Sequence, residues 1–464
     1  MGCDPHRAMK MTGCDSIQWG PPLDCLGLSR YNARHEPPDT TPVSPREQEN
    51  RLISVEEALA EILSHVRPLE PERVPILEAL GRVLAEEIVA DADIPPFDNS
   101  AMDGYAVRAA DVAAATPDSP VRLAVTGHVA AGYVARERVM PGTAIRIMTG
   151  APLPEGADAV VPIEDTDDGD RSGRVVEVRK AVSVGDHLRP AGEDVRRGER
   201  VLEPGRVIRP QEIGLLASLG HEMVAVHRRP RVAILATGDE LLAVHEPPAP
   251  AKIRSSNEYA HAALVMRTGG IPLRLGIARD HVADLTARLR TGLELRADLF
   301  LTSGGVSGGD YDLVKKVLGA EGQMRFWQVN MKPGRPLAFG LLAGVPLIGL
   351  PGNPTSAMVS FEQFARPAIL KMLGHTRLDR PTVRAVLDEP IRNSGRRGYV
   401  WVVVTRREGR YHARRAGGQG SGVLTSMVRA NGLAVVPEGI YWLEAGSQVT
   451  VQMLDWPEGV ESDL

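Results

Sequence analysis

Cysteine is scarce in this sequence of 464 residues: Cys3, Cys14 and Cys25 are the only three, and all lie in the first 25 positions. The rest of the chain therefore offers no thiolate nucleophile, disulfide or sulfur ligand, so a metal held there needs oxygen or nitrogen ligands. His6 and His35 lie near the cysteines in the sequence, so a zinc site formed by these residues is one interpretation. The surrounding Pro, Asp, Arg and Gly residues instead favour a flexible tail.

Long apolar runs are also missing. The stretch 337–350 is interrupted by three glycines and a proline, and it is shorter than the roughly 20 residues that a membrane helix needs. No membrane partner is expected, and because the first 25 residues hold no continuous apolar segment of the kind a secretory signal needs, we expect a cytoplasmic protein. A net charge of −5 and no evident basic cluster indicate no nucleic-acid partner.

The length predicts roughly two to four domains. The fold class expected is multidomain α/β plus β, with a doubly wound α/β domain, β-rich domains and a C-terminal β-barrel. We predict a disordered leader at 1–50, a linker domain of helices and a β ribbon at 51–91 and 184–228, a β-rich domain at 92–183, the α/β domain at 229–376 and the barrel domain at 377–464.

Local patterns predict the elements of the linker domain. Ser54 and Glu57 have the spacing of a capping box and begin a helix whose apolar residues recur at helical intervals. A second helix is predicted at 77–88 and a third at 211–219, and the glycine turns of 184–202 predict a separate ribbon.

In the α/β domain, apolar strands alternate with helices, which predicts a parallel, doubly wound sheet. The strands are expected at 232–236, 273–278, 299–302, 326–329 and 345–350. The helices are expected at 257–267, 283–295, 312–319 and 355–373. Ligands of such sheets bind outside the carboxyl ends of the strands, so the loops that follow the strands are the candidate site.

Those loops are rich in glycines and carboxylates. Glycines at 303–312 could turn backbone N–H groups toward a phosphate, or they could only provide turn geometry. The acids could be helix N-caps. Several acids beside an anionic ligand would instead require a cation such as Mg²⁺. These acids are Asp239, Glu240, Asp280, Asp310 and Asp312.

Two further segments could shape a pocket. Lys332 and Arg335 lie on a loop stiffened by two prolines, which suits anion binding, although solvated surface charge is the alternative. The turn 351–354 could form a pocket wall or simply end a strand.

Further motifs extend over most of the chain. They are Pro-Pro-Phe-Asp-Asn-Ser-Ala-Met-Asp-Gly-Tyr-Ala-Val at 95–107, Arg-Ile-Met-Thr-Gly-Ala-Pro-Leu-Pro-Glu-Gly-Ala-Asp-Ala-Val-Val-Pro at 146–162, Arg-Pro-Ala-Gly-Glu-Asp-Val-Arg at 189–196 and Gly-Gly-Gln-Gly-Ser-Gly at 417–422. With the α/β loops, they resemble the molybdopterin molybdenumtransferases, the family that includes the large C-terminal domain of gephyrin.

The resemblance implies a homodimer whose active cleft combines the α/β domain of one chain with residues 95–165 of the other. The implied reaction converts molybdate and adenylylated molybdopterin into molybdenum cofactor and AMP, with Mg²⁺ as cofactor. Tungstate, a dianion of similar size, stays open as the oxyanion. A molybdopterin adenylyltransferase activity and a non-catalytic scaffold are the alternative functions, and a molybdopterin adenylyltransferase is also a candidate partner.

The same resemblance implies roles for individual residues. The catalytic candidates are Asp103, Thr149, Asp194, Glu240, Asp280 and Asp312, of which Glu240, Asp280 and Asp312 are the Mg²⁺ candidates. The substrate-binding candidates are Thr237, Gly238, Ser303, Gly304, Gly305, Ser307, Lys332, Arg335, Pro351, Asn353, Pro354 and Ser421.

Overall fold

The computed structural model describes residues 52–168, 173–304 and 324–456. The predicted leader, its cysteines and the predicted helix at 312–319 lie outside these ranges. Within them, no helix is long and apolar enough to cross a membrane.

The N-terminal half is built mainly from short strands. Its two α-helices are α1 (Val55–Ser64) and α2 (Pro210–Ser218). Its strands are β1 (Leu52–Ile53), β2 (Pro71–Pro75), β3 (Ile88–Val89), β4 (Asn99–Ser100), β5 (Gly104–Val107), β6 (Val121–Val129), β7 (Thr143–Ile147), β8 (Ala159–Pro162), β9 (Thr166–Asp168), β10 (Val175–Val178), β11 (Leu188–Arg189), β12 (Arg200–Leu202) and β13 (Met223–His227).

The start of α1 confirms the capping box. The Ser54 hydroxyl accepts a hydrogen bond from the Glu57 N–H at 3.1 Å, and the Glu57 carboxylate accepts one from the Ser54 N–H at 2.9 Å. The helix α2 confirms the prediction at 211–219.

The second predicted helix, at 77–88, is wrong. A 3₁₀ turn at Ile76–Ala79 is followed by Gly81 with a φ of +73°, and the chain then runs extended into β3. The buried residues Val83 and Leu84 form bridges to Val207 and Val226. Tertiary pairing therefore overrides the local helical pattern here.

Residues of the predicted β-rich domain form a six-stranded sheet in the order β8-β5-β7-β6-β10-β9. Alternate residues of β5 face two different apolar clusters: Tyr105 and Val107 contribute to one, and Ala106 to the other. Both faces of this part of the sheet are therefore covered. In the predicted ribbon, β11 pairs with β4 and β12 pairs with β3, rather than with each other.

The α/β region supplies the largest sheet. Its strands are β14 (Arg231–Thr237), β15 (Leu241–Leu242), β16 (Ile253–Arg254), β17 (Ile271–Ala278), β18 (Leu299–Ser303), β19 (Met324–Val329), β20 (Met331–Lys332), β21 (Pro336–Leu342) and β22 (Val345–Leu350). Its helices are α3 (Ser256–Thr268), α4 (Val282–Glu294), α5 (Pro354–Ser360) and α6 (Arg366–Met372), and a π-helical segment, Phe361–Ala365, joins α5 to α6.

The order of this sheet is β1-β19-β21-β22-β18-β14-β17. The strands β22, β18, β14 and β17 are parallel to one another, as predicted. The sequence pattern missed β21, which is antiparallel to both β19 and β22, so the sheet is mixed rather than parallel throughout.

Both faces of the sheet are buried, which confirms the doubly wound α/β fold. In β14, Ile234 belongs to one apolar cluster, and its neighbours Ala233 and Leu235 belong to the other. The strand β1 pairs with β19, and α1 packs into the first of these clusters through Val55 and Ile62. The core on this face thus includes residues that the sequence pattern assigned to the linker domain.

The C-terminal region forms the expected barrel. Its strands are β23 (Thr382–Leu387), β24 (Ile391–Arg392), β25 (Arg397–Arg407), β26 (Arg410–Arg415), β27 (Gly432–Val436), β28 (Trp442–Leu443) and β29 (Gln448–Met453), and its helix is α7 (Leu424–Arg429). Pairing in the order β25-β26-β23-β29-β27 closes because β25 also pairs with β27. The strand β20 of the α/β region joins this barrel through β25.

Candidate functional site

The carboxyl ends of the parallel strands β14, β17, β18 and β22 meet at one edge of the sheet, where their loops enclose a cleft of about 320 Å³, here called the rim cleft. It is lined by Thr237, Gly238, Glu240, Leu241, Ile253, Arg254, Ser255, Ser256, Asn257, Asp280, Ser303, Gly304, Gly352, Asn353 and Pro354. Eight of the predicted site residues therefore share one cleft.

Close backbone packing shapes the floor of the rim cleft. Gly304 has a φ of +89°, and a Cβ at this position would lie 2.5 Å from the carbonyl oxygen of Thr237. Only glycine fits, because both the backbone angle and the contact exclude a side chain. The Asn257 amide donates a hydrogen bond of 2.7 Å to the Gly352 carbonyl and so ties α3 to the loop after β22.

The acids of the rim are not helix caps in the described loops. The helix α4 is capped by His281 without a side-chain hydrogen bond, so Asp280 is free of that role. The Asp280 carboxylate accepts a hydrogen bond from the Asp239 N–H at 3.2 Å, and the Asp239 carboxylate accepts one from the Asp280 N–H at 3.3 Å. The two carboxylates are thus held close together, although they repel each other.

The fit of the rim cleft to Mg²⁺ depends on Glu240 and Asp280, the two carboxylates that line it. In the described part of the chain, no group of three or more His, Cys, Asp or Glu side chains could hold a metal alone. Mg²⁺ commonly binds one or two protein carboxylates together with phosphate oxygens and water. Two exposed carboxylates in one cleft fit that requirement, and the third predicted ligand, Asp312, lies outside the described residues.

A second cleft, of about 610 Å³, lies between the α/β region and the barrel and is here called the cation cleft. Five cationic side chains line it, and none of its described lining residues is Asp or Glu. The cations are Lys332, Arg335, Arg392, Arg396 and Arg415. The predicted residue Ser421 also lines this cleft.

Most of these cations are open to a ligand. Within the described residues, Lys332 and Arg335 pair with no carboxylate, whereas Arg415 pairs with Glu389 at 2.7 Å. Burial and then the nearby Arg335 guanidinium lower the pKa of Arg396. An anion in the cation cleft would relieve this repulsion between guanidinium groups.

The two clefts lie on either side of the start of α5. Asn353 and Pro354 line the rim cleft, and the next residue, Thr355, lines the cation cleft. The Thr355 hydroxyl donates a hydrogen bond of 2.8 Å to the Ser421 carbonyl, which fixes the glycine-rich loop of the barrel against the helix. One extended ligand could therefore contact both clefts.

The other catalytic candidates lie apart from both clefts within the chain. Thr149 donates two hydrogen bonds of 2.7 Å to the Asp103 carboxylate, one from its backbone N–H and one from its hydroxyl. Both hydrogen bonds lower the pKa of Asp103, and the backbone bond has the larger effect. Asp194 is exposed in the loop between β11 and β12, and buried Pro351 lies outside the lining of either cleft.

Four candidates, Gly305, Ser307, Asp310 and Asp312, lie outside the described residues. Conversely, Asn257 of the rim cleft and the arginines that the barrel contributes to the cation cleft were not among the predicted site residues. Paired arginines at 396–397 and 414–415 were a signal in the sequence. They lie too far along the chain from Lys332 to form an evident basic cluster.

Family models match most of the chain. The MoeA N-terminal region, domains I and II, matches residues 53–220, and a probable molybdopterin-binding domain matches residues 233–371. The MoeA C-terminal region, domain IV, matches residues 384–454.

Two curated relatives and a solved structure match this chain over nearly the whole of their own length. Molybdopterin molybdenumtransferase 2 of Mycobacterium tuberculosis is 40% identical over 407 residues, which are 86% of this chain and 99% of the relative. Molybdopterin molybdenumtransferase of Bacillus subtilis is 37% identical over 88% of this chain and 97% of the relative. The crystal structure of a molybdopterin biosynthesis moeA protein from Pyrococcus horikoshii OT3 superposes with a TM-score of 0.74 at 33% identity, covering 87% of this chain and 100% of that one.

Proposed function

Because this chain belongs to the molybdopterin molybdenumtransferase family, an enzyme family of molybdenum cofactor biosynthesis, we propose that it inserts molybdate into adenylylated molybdopterin and releases AMP. The observation that carries the proposal is the pair of adjoining clefts with opposite chemistry. The rim cleft presents backbone turns and carboxylates, and the cation cleft presents five cationic side chains.

The cation cleft suits the oxyanion. Molybdate is a dianion, and Lys332 and Arg335 offer it charges that no described carboxylate neutralises. Since no cysteine follows residue 25, the dithiolene sulfurs of the pterin substrate must hold molybdenum. The role of the protein is therefore to bring the oxyanion and the sulfurs together and to stabilise charge.

The rim cleft suits the nucleotide end of the substrate. Glu240 and Asp280 would hold Mg²⁺, with Asp312 as the third expected ligand, and bound Mg²⁺ would neutralise phosphate charge. A carboxylate in this cleft can also accept the proton of the water that releases AMP. Asn353 and Pro354 would contact the part of the substrate that extends toward the cation cleft.

Asp103 and Thr149 enter the proposal through a homodimer. They line neither cleft within the chain, but the hydrogen bonds from Thr149 lower the pKa of Asp103 and hold its carboxylate in place. The partner subunit would bring this pair to the rim cleft and complete the site.

The proposal is tested with purified protein, adenylylated molybdopterin, Mg²⁺ and molybdate. AMP release and cofactor formation should rise together with molybdate concentration, and tungstate in place of molybdate measures the oxyanion preference. Adenylylation of molybdopterin from ATP without use of molybdate would contradict the proposal.

Mixed dimers test the shared site. Coexpressed chains carrying Asp103→Asn and Asp280→Asn should form heterodimers with one intact site each, so activity should return although each homodimer is inactive. Failure to recover activity in verified heterodimers would show that the site does not combine these residues across chains.

A further inference from the structure

A third cavity, of about 360 Å³, lies where the linker, the α/β region and the start of the barrel meet. It shares no lining residue with the rim cleft or the cation cleft. We call it the arginine cavity, because its lining contains the five arginines Arg82, Arg229, Arg267, Arg366 and Arg380.

The cavity carries more positive charge than its neighbours neutralise. Ion pairs join these arginines to three carboxylates in the described chain, and a fourth, Asp379, acts on Arg366 through its charge, which leaves a surplus of one positive charge. Arg229 has no carboxylate partner there. The pairs are Arg82 with Glu72, Arg267 with Asp455, and both Arg366 and Arg380 with Glu362.

Two of these arginines, Arg82 and Arg366, are largely buried. Arg82 is 8% exposed, and its Nε has no hydrogen-bond partner among the described residues. The side chain of Arg366 is 13% exposed, and burial, followed by the charge of Arg380, lowers its pKa to about 10. The Arg82 Nε is closed to solvent, so a ligand in the cavity does not reach it, but a bound anion would favour the charged form of Arg366.

Apart from Thr268 and His375, the remaining wall is apolar. It comes mainly from Leu80, Leu264, Met266, Leu370 and Leu373. Guanidinium groups bind phosphate oxygens through paired hydrogen bonds, and an apolar wall accepts a ring or hydrocarbon body. The geometry points to a binding site for a dianionic phosphomonoester with an apolar or aromatic body, separate from the molybdate chemistry. This inference does not rest on the proposed function.

Calorimetric titration of the full chain with phenyl phosphate tests the site. We expect phenyl phosphate to bind, phenol not to bind, and inorganic phosphate to bind more weakly because it lacks the apolar body. Absence of phenyl phosphate binding, or equal affinity for inorganic phosphate, would overturn the proposal.

Three variants locate the binding. Arg229→Ala removes an unpaired, exposed cation of the cavity and should weaken phenyl phosphate binding about tenfold, with the unfolding midpoint unchanged. Arg377→Ala, an exposed neighbour outside the lining, is the matched control and should bind normally. Lys332→Ala distinguishes the cation cleft: binding lost in this variant but kept in Arg229→Ala would refute the assignment.

Discussion

The rim cleft and the cation cleft adjoin the same helix start but differ in charge, since carboxylates line only the rim cleft, where Arg254 is the one cation in the described lining. Glu240 and Asp280 line the first, and Lys332 and Arg335 line the second. The described residues show no ion pair between the two sets. The separation leaves each set available to a ligand.

Glu212 in α2 shows the opposite arrangement. Its carboxylate is buried and accepts hydrogen bonds from the guanidinium groups of Arg206 and Arg209, at 2.7 Å each. The bonds from Arg209, which outweigh burial, and those from Arg206 lower the pKa of Glu212 to about 2. Charges of this kind stabilise the fold, whereas those of the clefts are kept for ligands.

The largest effect on activity is expected from a substitution in the rim cleft. Asp280→Asn should lower kcat at least roughly a hundredfold, because the amide can still accept the hydrogen bond from Asp239 but cannot neutralise Mg²⁺ or accept a proton. Steady-state AMP release measures this loss.

The matched control is Glu294→Gln at the other end of α4, where the side chain is exposed and outside the rim cleft. It should retain wild-type kcat. Equal kcat in both variants would remove the catalytic role of the rim acids and favour a scaffold with this fold.

Glu212→Gln should act on stability rather than on catalysis. Loss of its charge should lower the free energy of unfolding by about 2 kcal/mol. This is less than the full pKa shift implies, because both arginine partners are half exposed and solvent screens them in part. Because its pKa is lowered from 4.5 to about 2, the stabilisation is complete above pH 4.5 and is lost as the pH falls toward 2.

Urea unfolding at pH 7 and at pH 3 checks this contrast. The difference between Glu212→Gln and the native chain should shrink at the lower pH, and the KM for molybdate should not change in the variant. A constant difference at both pH values would show that the carboxylate contributes through packing instead of charge.

The cation cleft should show a smaller effect on binding. Lys332→Ala should raise the KM for molybdate about tenfold, with less change in kcat, because the remaining cations still hold the oxyanion. Lys180→Ala, which removes a surface lysine paired with Asp165, is the control. An unchanged KM in Lys332→Ala would move the oxyanion site elsewhere.

Local sequence patterns were sufficient for much of this architecture. The capping box at Ser54, the parallel strands and the loops at their carboxyl ends depend on neighbours only a few residues away, and the rim cleft follows from that order. The motif resemblance then covered most of the chain and indicated the family correctly.

Long-range pairing limited the prediction elsewhere. The residues at 77–88 read as helical, but bridges to residues more than 100 positions away hold them extended. The cation cleft was not predicted for the same reason. Arg392, Arg396 and Arg415 lie near Lys332 only because β20 pairs with a strand of the barrel. Sequence periodicity reports neighbours along the chain, not across domains.

The smallest effect on activity is expected from a change at Thr149, which tests how the pKa of Asp103 is kept low. Thr149→Val removes the hydroxyl bond to Asp103 but keeps the stronger contribution of the backbone N–H. The pKa of Asp103 should therefore rise, while the carboxyl stays ionised at neutral pH and activity there changes little. Carboxyl ¹³C chemical shifts, assigned with an Asp103→Asn variant, measure the titration, and Thr149→Ser should restore the native pKa. A pKa unaltered in Thr149→Val would mean that the backbone alone holds this acid ready for the partner subunit.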